Sequence, residues 1–196
     1  MSLKGSSTRA EYIEWHTAVN LVHRLYRDED YRMSLLIGCG IFFGLRISDL
    51  LQLSWDMLLE GDSFSLTEQK TGKRRTVRIN RDFQKHIRAC HKAMRVTDNA
   101  SKCFINATGQ PLSVQRVNVL LKQIKTKYGL KSVRNISSHS LRKTFGRKVF
   151  ESAGENANMA LVRLSELFNH SNVVITKIYL GIRQEELLET YDLLDF

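Results

Sequence analysis

The residues suited to chemistry fall in four segments: GLRISDLLQLSW (44–55), QKTGK (69–73), HSLRKTFG (139–146) and FNHSNVVITKIYL (168–180). In the third, His139 and Arg142 stand three apart, which on a helix places them on neighbouring turns of one face. Arg46 opens a helix in the first. A guanidinium is a rigid, permanently charged fork that takes two phosphate oxygens at once. Two such forks, Arg46 and Arg142, suit the non-bridging oxygens of one phosphodiester and the charge of a pentacoordinate transition state, without a metal. Lys70 can lend a proton to a leaving oxygen, which arginine does poorly; Lys73, three residues on, is its rival. His170 precedes Tyr179 by nine residues. A tyrosine nucleophile leaves a covalent phosphotyrosine that stores the energy of the broken bond. Taken singly, each residue also fits an ordinary role. These are an exposed His/Arg pair on a basic helix, Arg46 paired with Asp49, a solvated turn lysine, and one core tyrosine among six.

Helices and one hairpin must carry these residues. Tyr12, Trp15, Val19, Val22 and Tyr26 recur at helical spacing and predict a helix over 9–27. Further helices are expected over 29–43, from Ile47 to just before Trp55, and over 81–95. The period then changes. Phe64 and Leu66 alternate with polar residues, as do Arg75, Val77 and Ile79, around the turn KTGK (70–73), which is a β-hairpin signal. KCFIN (102–106) reads as a short strand. Ser113 is placed to cap a helix running to about Lys127, and Ser138 one over 139–153. In the latter, Leu141, Phe145 and Val149 form an apolar stripe, and Gly146 lies on the face of His139 and Arg142. A mid-helix glycine costs about 1 kcal/mol relative to alanine, so this one implies a close approach to that face. A helix over 157–168 is expected to end at Asn169, since asparagine tolerates the left-handed cap. A short helix at 172–179 ends on Tyr179, and Leu187, Leu188, Tyr191 and Leu194 make the tail amphipathic.

The composition fits this reading. Thirty Lys and Arg against twenty Asp and Glu give the 196-residue chain a net charge of +10, a candidate polyanion binder. Residues 182–196 hold one arginine against five carboxylates, so the first 181 residues carry +14. The three cysteines, Cys39, Cys90 and Cys103, match no zinc spacing and read as reduced thiols of a cytoplasmic protein. No apolar run approaches the roughly 20 residues that span a bilayer, and no signal-peptide core opens the chain.

Together these residues resemble the catalytic domain of the tyrosine recombinases, the phage-type integrases. That family's pattern is Arg, Lys, His-x-x-Arg, His or Trp, then Tyr. Arg46, Lys70, His139, Arg142, His170 and Tyr179 match it in type and order, and Asp49 matches the acidic residue three after the first arginine. One departure is Asn169, where the family usually has glycine. The resemblance implies an α+β fold, mainly α-helical with a small antiparallel β-hairpin. It implies a catalytic domain over 9–182, with 1–8 as a disordered remnant and 183–196 as an amphipathic tail helix. The helical core-binding domain that usually precedes this one has no counterpart here, so a fragment or truncated enzyme is expected. The implied partners are double-stranded DNA and further copies of the chain, as a tetramer on DNA. Metal, nucleotide, small-molecule cofactor and membrane are not expected. The implied role is site-specific recombination, for integration or excision of a mobile element or prophage, in a bacterial or phage-encoded protein. A type IB topoisomerase-like strand transferase and a non-catalytic basic DNA-binding module are the alternatives. The tail is equally suited to docking on a neighbouring copy or on its own domain.

Overall fold

The computed structural model describes residues 10–189 and residue 191. The chain forms two compact units, divided between Thr144 and Phe145. The expected remnant 1–8 and the distal tail, Leu194 included, lie outside the described residues.

The first unit is built on α2 (Tyr31–Phe43), whose residues are buried almost all round. Such a helix has no polar face and must lie at the centre of its unit. Around it are α1 (Trp15–Arg27), α3 (Ile47–Leu50), α4 (Trp55–Leu59), α5 (Arg81–Ala93) and α6 (Val114–Tyr128). The antiparallel pair β1 (Ser63–Thr67) and β2 (Arg74–Arg78) completes the set, in register Phe64 to Val77 and Leu66 to Arg75. Phe43, Trp55, Phe83, Phe104, Val117 and Leu121 lie in one core with the α2 side chains.

Three local differences from the sequence expectations have identifiable causes. The first helix starts at Trp15, not residue 9. The Glu14 carboxylate accepts the His16 and Thr17 N–H groups as a cap, while the chain before it is pinned in extended form. There the Ile13 N–H donates to Thr144 Oγ1, and that hydroxyl donates to Ile13 O. The helix from Ile47 stops after one turn at Leu50, because Leu53 O is taken by the Cys103 N–H at 2.9 Å and Ser54 bridges to Lys102. The expected KCFIN strand is correspondingly reduced to isolated bridges, Ser54 with Lys102 and Ile105 with Pro111.

The division between units falls inside α7 (Ser138–Glu151). Its cap is Ser137 rather than Ser138. Ser137 Oγ accepts the His139 N–H at 3.3 Å and the Ser137 N–H donates to Ser140 Oγ at 3.1 Å, a reciprocal capping pair. The Ser138 N–H instead donates to Asn118 Oδ1 of α6. Leu141 belongs to the first core. A Cβ on Gly40 of α2 would lie 2.7 Å from the Leu141 side chain, so glycine there permits the close approach.

The second unit comprises the last turns of α7, a 3-10 turn at Gly154–Asn156, α8 (Ala157–Phe168), α9 (Val173–Leu180) and α10 (Ile182–Glu189). Its core is Leu161, Leu164, Phe168, Leu180 and Ile182, with Phe145, Val149, Phe150, Val173 and Tyr179 against it. The apolar stripe of α7 thus serves two cores. The close approach expected at Gly146 is present, but apolar side chains make it. A Cβ there would meet Leu180 Cδ2 at 2.6 Å and the Phe168 ring at 3.0 Å, so its open flank holds apolar side chains of its own unit.

Candidate active site

The first unit brings four of the six singled-out residues onto neighbouring segments. Helix α2 ends in a left-handed residue, Gly44 (φ 57°). The last carbonyls of a helix lack partners within it and carry its negative dipole end. Here two guanidinia meet them. Arg75 Nη2 donates to Phe43 O at 3.0 Å, and Arg142 Nη1 donates to Gly44 O at 2.7 Å. Arg142 is thereby buried and its side chain tied two residues before Arg46.

Arg46 stands at the N-terminal cap position of α3. Its Nη1 donates to Glu68 Oε2 at 2.7 Å. Glu68 directly follows β1, with its side chain 1% exposed. The same Oε2 accepts the Thr71 hydroxyl at 2.9 Å, and Arg75 Nη1 lies 3.5 Å from Oε1. Burial pushes the Glu68 carboxyl up, but the Thr71 hydroxyl and the two guanidinia outweigh it and hold the acid below its usual range, as an anion. Burial lowers the Arg75 guanidinium, an effect opposed by Glu68. Asp49, also buried, accepts the Gln69 N–H at 2.8 Å rather than pairing with Arg46. Lys70 is therefore flanked by Gln69, tied to α3, and Thr71, tied to Glu68. Its own side chain is exposed at the tip, and Lys73 is exposed as well. His139 keeps an exposed face in the first turn of α7. Partial desolvation, reinforced by the Arg142 and Lys143 cations, lowers its imidazole below the ordinary value.

The second unit holds the other two. Helix α8 ends at Asn169 with φ 51° and ψ 47°, the left-handed cap expected from its sequence. That turn returns the chain so that the His170 N–H donates to Ser165 O at 3.0 Å. Nδ1 of His170 and Oγ1 of the buried Thr176 are 3.0 Å apart. Asn172 caps α9 by accepting the Ile175 N–H. About two turns later the Tyr179 ring meets His170 edge to face at 5.3 Å between centroids, and Phe168 at 5.6 Å. His170 and Tyr179 are thus direct neighbours.

Sequence reasoning missed Glu68 and Arg75. A signal was present: the alternation that turns Phe64 and Leu66 inward continues to Glu68, and Arg75 shares the inward face of Val77 and Ile79. Two charged residues on the apolar face of one hairpin call for each other. Among the described residues no cluster of three or more His, Cys, Asp or Glu is placed to hold a metal, and no helix is long and apolar enough to cross a membrane. The three cysteines are free and buried, and burial pushes the Cys90 thiol up to about 12.

The fold is that of tyrosine recombinase catalytic domains. It superposes on the crystal structure of XerA recombinase with a TM-score of 0.70 at 20% identity, covering 94% of this chain and 66% of that one. On the Tn1549 transposon integrase in complex with transposon right end DNA the TM-score is 0.67 at 18% identity, covering 95% and 68%. In sequence, the chain is 30% identical over 152 residues to the probable integrase/recombinase YoeC of Bacillus subtilis (strain 168), covering 78% of each. It is 29% identical over 163 residues to tyrosine recombinase XerC of Brucella suis, covering 82% of this chain and 48% of that protein. The chain thus spans about half the length of the XerC relatives it matches. A profile of the phage integrase family matches residues 13–186. The chain belongs to the phage integrase family. The mainly helical fold with one small hairpin and the family membership, both expected from the sequence, are borne out.

Proposed function

We propose that this chain cuts and rejoins double-stranded DNA at specific sites, with residues 9–182 as the catalytic domain and Tyr179 as the nucleophile. Tyr179 Oη attacks the scissile phosphorus, the P–O5′ bond breaks, and a 3′-phosphotyrosyl ester forms. Lys70 gives a proton to the departing 5′-oxygen. Arg46 and Arg142 hold the non-bridging oxygens, with His139 and His170 assisting. A 5′-hydroxyl from a second duplex then attacks the ester and releases the tyrosine. The ester conserves the energy of the bond, so no nucleotide is consumed, and charge stabilisation by the two guanidinia asks for no metal.

The observation that carries this reading is the pairing around Gly44–Arg46: Arg46 lies in that segment and Arg142 donates to its first carbonyl. Two forks on one short stretch of chain suit one phosphate. The +14 on the first 181 residues supports binding to the duplex backbone. The transposon DNA held by the Tn1549 integrase supports DNA as partner and integration or excision of a mobile element as the role. Assembly as a tetramer on DNA is part of the same reading. The tail is assigned to docking on a neighbouring copy, since Leu187 and Leu188 of α10 and the following Tyr191 are 53%, 57% and 72% exposed.

The test is Tyr179→Phe on a nicked suicide substrate, where a cleaved strand cannot religate. Adduct formation is expected to fall by at least about 10³-fold while DNA binding persists. Equal trapping by both proteins overturns the assignment. Lys70→Ala is expected to slow cleavage by roughly 10²–10⁴-fold and to recover on a substrate with a 5′-sulfur leaving group, which needs no proton. Recovery by Lys73→Ala instead identifies Lys73 as the acid.

A further inference from the structure

We propose that Glu68 is a positioning residue for the reaction: it sets the Arg46 guanidinium in place for the scissile phosphate and locks that arginine to the turn bearing Lys70. This rests on the functional reading above.

Four observations carry it. Glu68 is a buried anion whose Oε2 accepts directly from Arg46 Nη1 at 2.7 Å. Removing a side chain of this kind leaves its partner charges without compensation, so its place is a strong constraint on them. The same oxygen accepts the Thr71 hydroxyl, one residue past Lys70. Glu68 also closes the turn with its backbone, donating to Lys73 O at 2.9 Å and accepting the Gly72 N–H at 2.8 Å. Finally, Asp49 makes the reciprocal connection, from α3 to the Gln69 N–H. A carboxylate from each side thus reaches the other, and the helix start bearing Arg46 and the turn bearing Lys70 move as one piece. Arg75 belongs to the arrangement as a second cation at Glu68, anchored on Phe43 O.

The consequence is specific. A guanidinium with one N–H held by a buried carboxylate has its plane fixed before phosphate arrives. Orientation made in advance costs nothing at the moment of reaction, and this is where electrostatic stabilisation gains its effect. Loss of Glu68 is therefore expected to weaken the charge clamp rather than the proton transfer.

The experiment compares Glu68→Gln with the unaltered chain on three suicide substrates in single turnover. On the ordinary phosphodiester, cleavage is expected to drop by about 10–100-fold, part of what one preorganised donor contributes, with DNA affinity within about twofold. With a 5′-sulfur leaving group the deficit is expected to persist, because the proton from Lys70 is no longer needed. With a methylphosphonate at the scissile position, neutral at the reacting centre, it is expected to shrink to about threefold, because less charge remains for Arg46 to hold. No loss on the phosphodiester overturns the proposal, as does an equal deficit on all three substrates, the mark of a general structural defect. Recovery on the sulfur substrate alone transfers the role of Glu68 to Lys70 and overturns it too. If Glu68→Gln does not fold, Thr71→Val takes its place, since it strips one donor from the same oxygen and leaves every charge. A severalfold loss with the same substrate pattern is then expected, and unchanged cleavage overturns the proposal. Tyr179→Phe runs beside both variants. Adduct from that protein means the functional reading itself has failed, whatever Glu68 does.

Discussion

The two units solve different problems with different materials. Around Arg46 and Arg142 the first unit uses charge. Carbonyls at the end of α2, a buried glutamate and an aspartate hold guanidinia and a turn through hydrogen bonds of 2.7–3.0 Å. Around His170 and Tyr179 the second unit uses aromatic packing. Phe168, His170 and Tyr179 meet edge to face in pairs, and His170 Nδ1 lies 3.0 Å from the Thr176 hydroxyl. A region that holds an incoming anion must keep several cations close, and they need carboxylates and carbonyls to stay in place. On the proposed reading the second region delivers a phenol, which needs a stiff ring in a fixed attitude, and edge-to-face ring contacts help to supply that.

This contrast can be broken by substitution. In the charged region, function should suffer more than stability. Arg142→Gln removes a fork from the proposed phosphate site and its bond to Gly44 O. Cleavage is expected to fall by about 10²–10³-fold, roughly 3–4 kcal/mol of transition-state stabilisation. The accompanying stability loss should be smaller, about 1–3 kcal/mol, read by thermal melting against single-turnover rates. A melting loss with unimpaired cleavage would reverse the assignment of that region.

Acid provides a sharper probe of the first unit. His86 packs among His23, Tyr26 and Phe83, with Ser34 Oγ and Cys90 Sγ at its Nε2. Burial, with His23 a smaller influence, lowers its imidazole to about 4. The unfolded chain binds a proton near 6.5, so the folded state excludes one that the unfolded state accepts. The contribution of His86 to the stability of the first unit is therefore complete above pH 6.5 and is lost as the pH drops toward 4. Both tryptophans, Trp15 and Trp55, lie in this unit, so their fluorescence on urea titration reports it. His86→Gln should flatten the slope; an unchanged acid dependence would remove His86 as its cause.

In the apolar region the order should reverse, with stability suffering first. Gly146→Ala puts a methyl group 2.6 Å from Leu180 Cδ2 and is expected to destabilise the second unit by about 1–3 kcal/mol. Hydrogen exchange should rise in α8 and α9 while DNA binding is retained. Unchanged protection there would mean the close packing is not needed.

Local chemistry was legible in the sequence. The left-handed cap at Asn169, the hairpin turn around Gly72 and the helix carrying His139 and Arg142 follow from propensities and spacings of a few residues, which act whatever surrounds them. The order of the six candidate residues was legible for the same reason, as a string of types. Partners were not. Spacing along α3 offered Asp49 as an ordinary partner for Arg46, yet Arg46 binds Glu68 and Asp49 accepts the Gln69 N–H. Gly146 read as a close approach on the face of His139 and Arg142, but the sequence could not say that Leu180 and Phe168 make it. Residues twenty to a hundred apart meet only when helices and hairpin pack, and packing, unlike period or propensity, is a property of the whole chain. It was the tertiary structure that turned a buried glutamate into the neighbour of the first arginine and made α7 serve two cores.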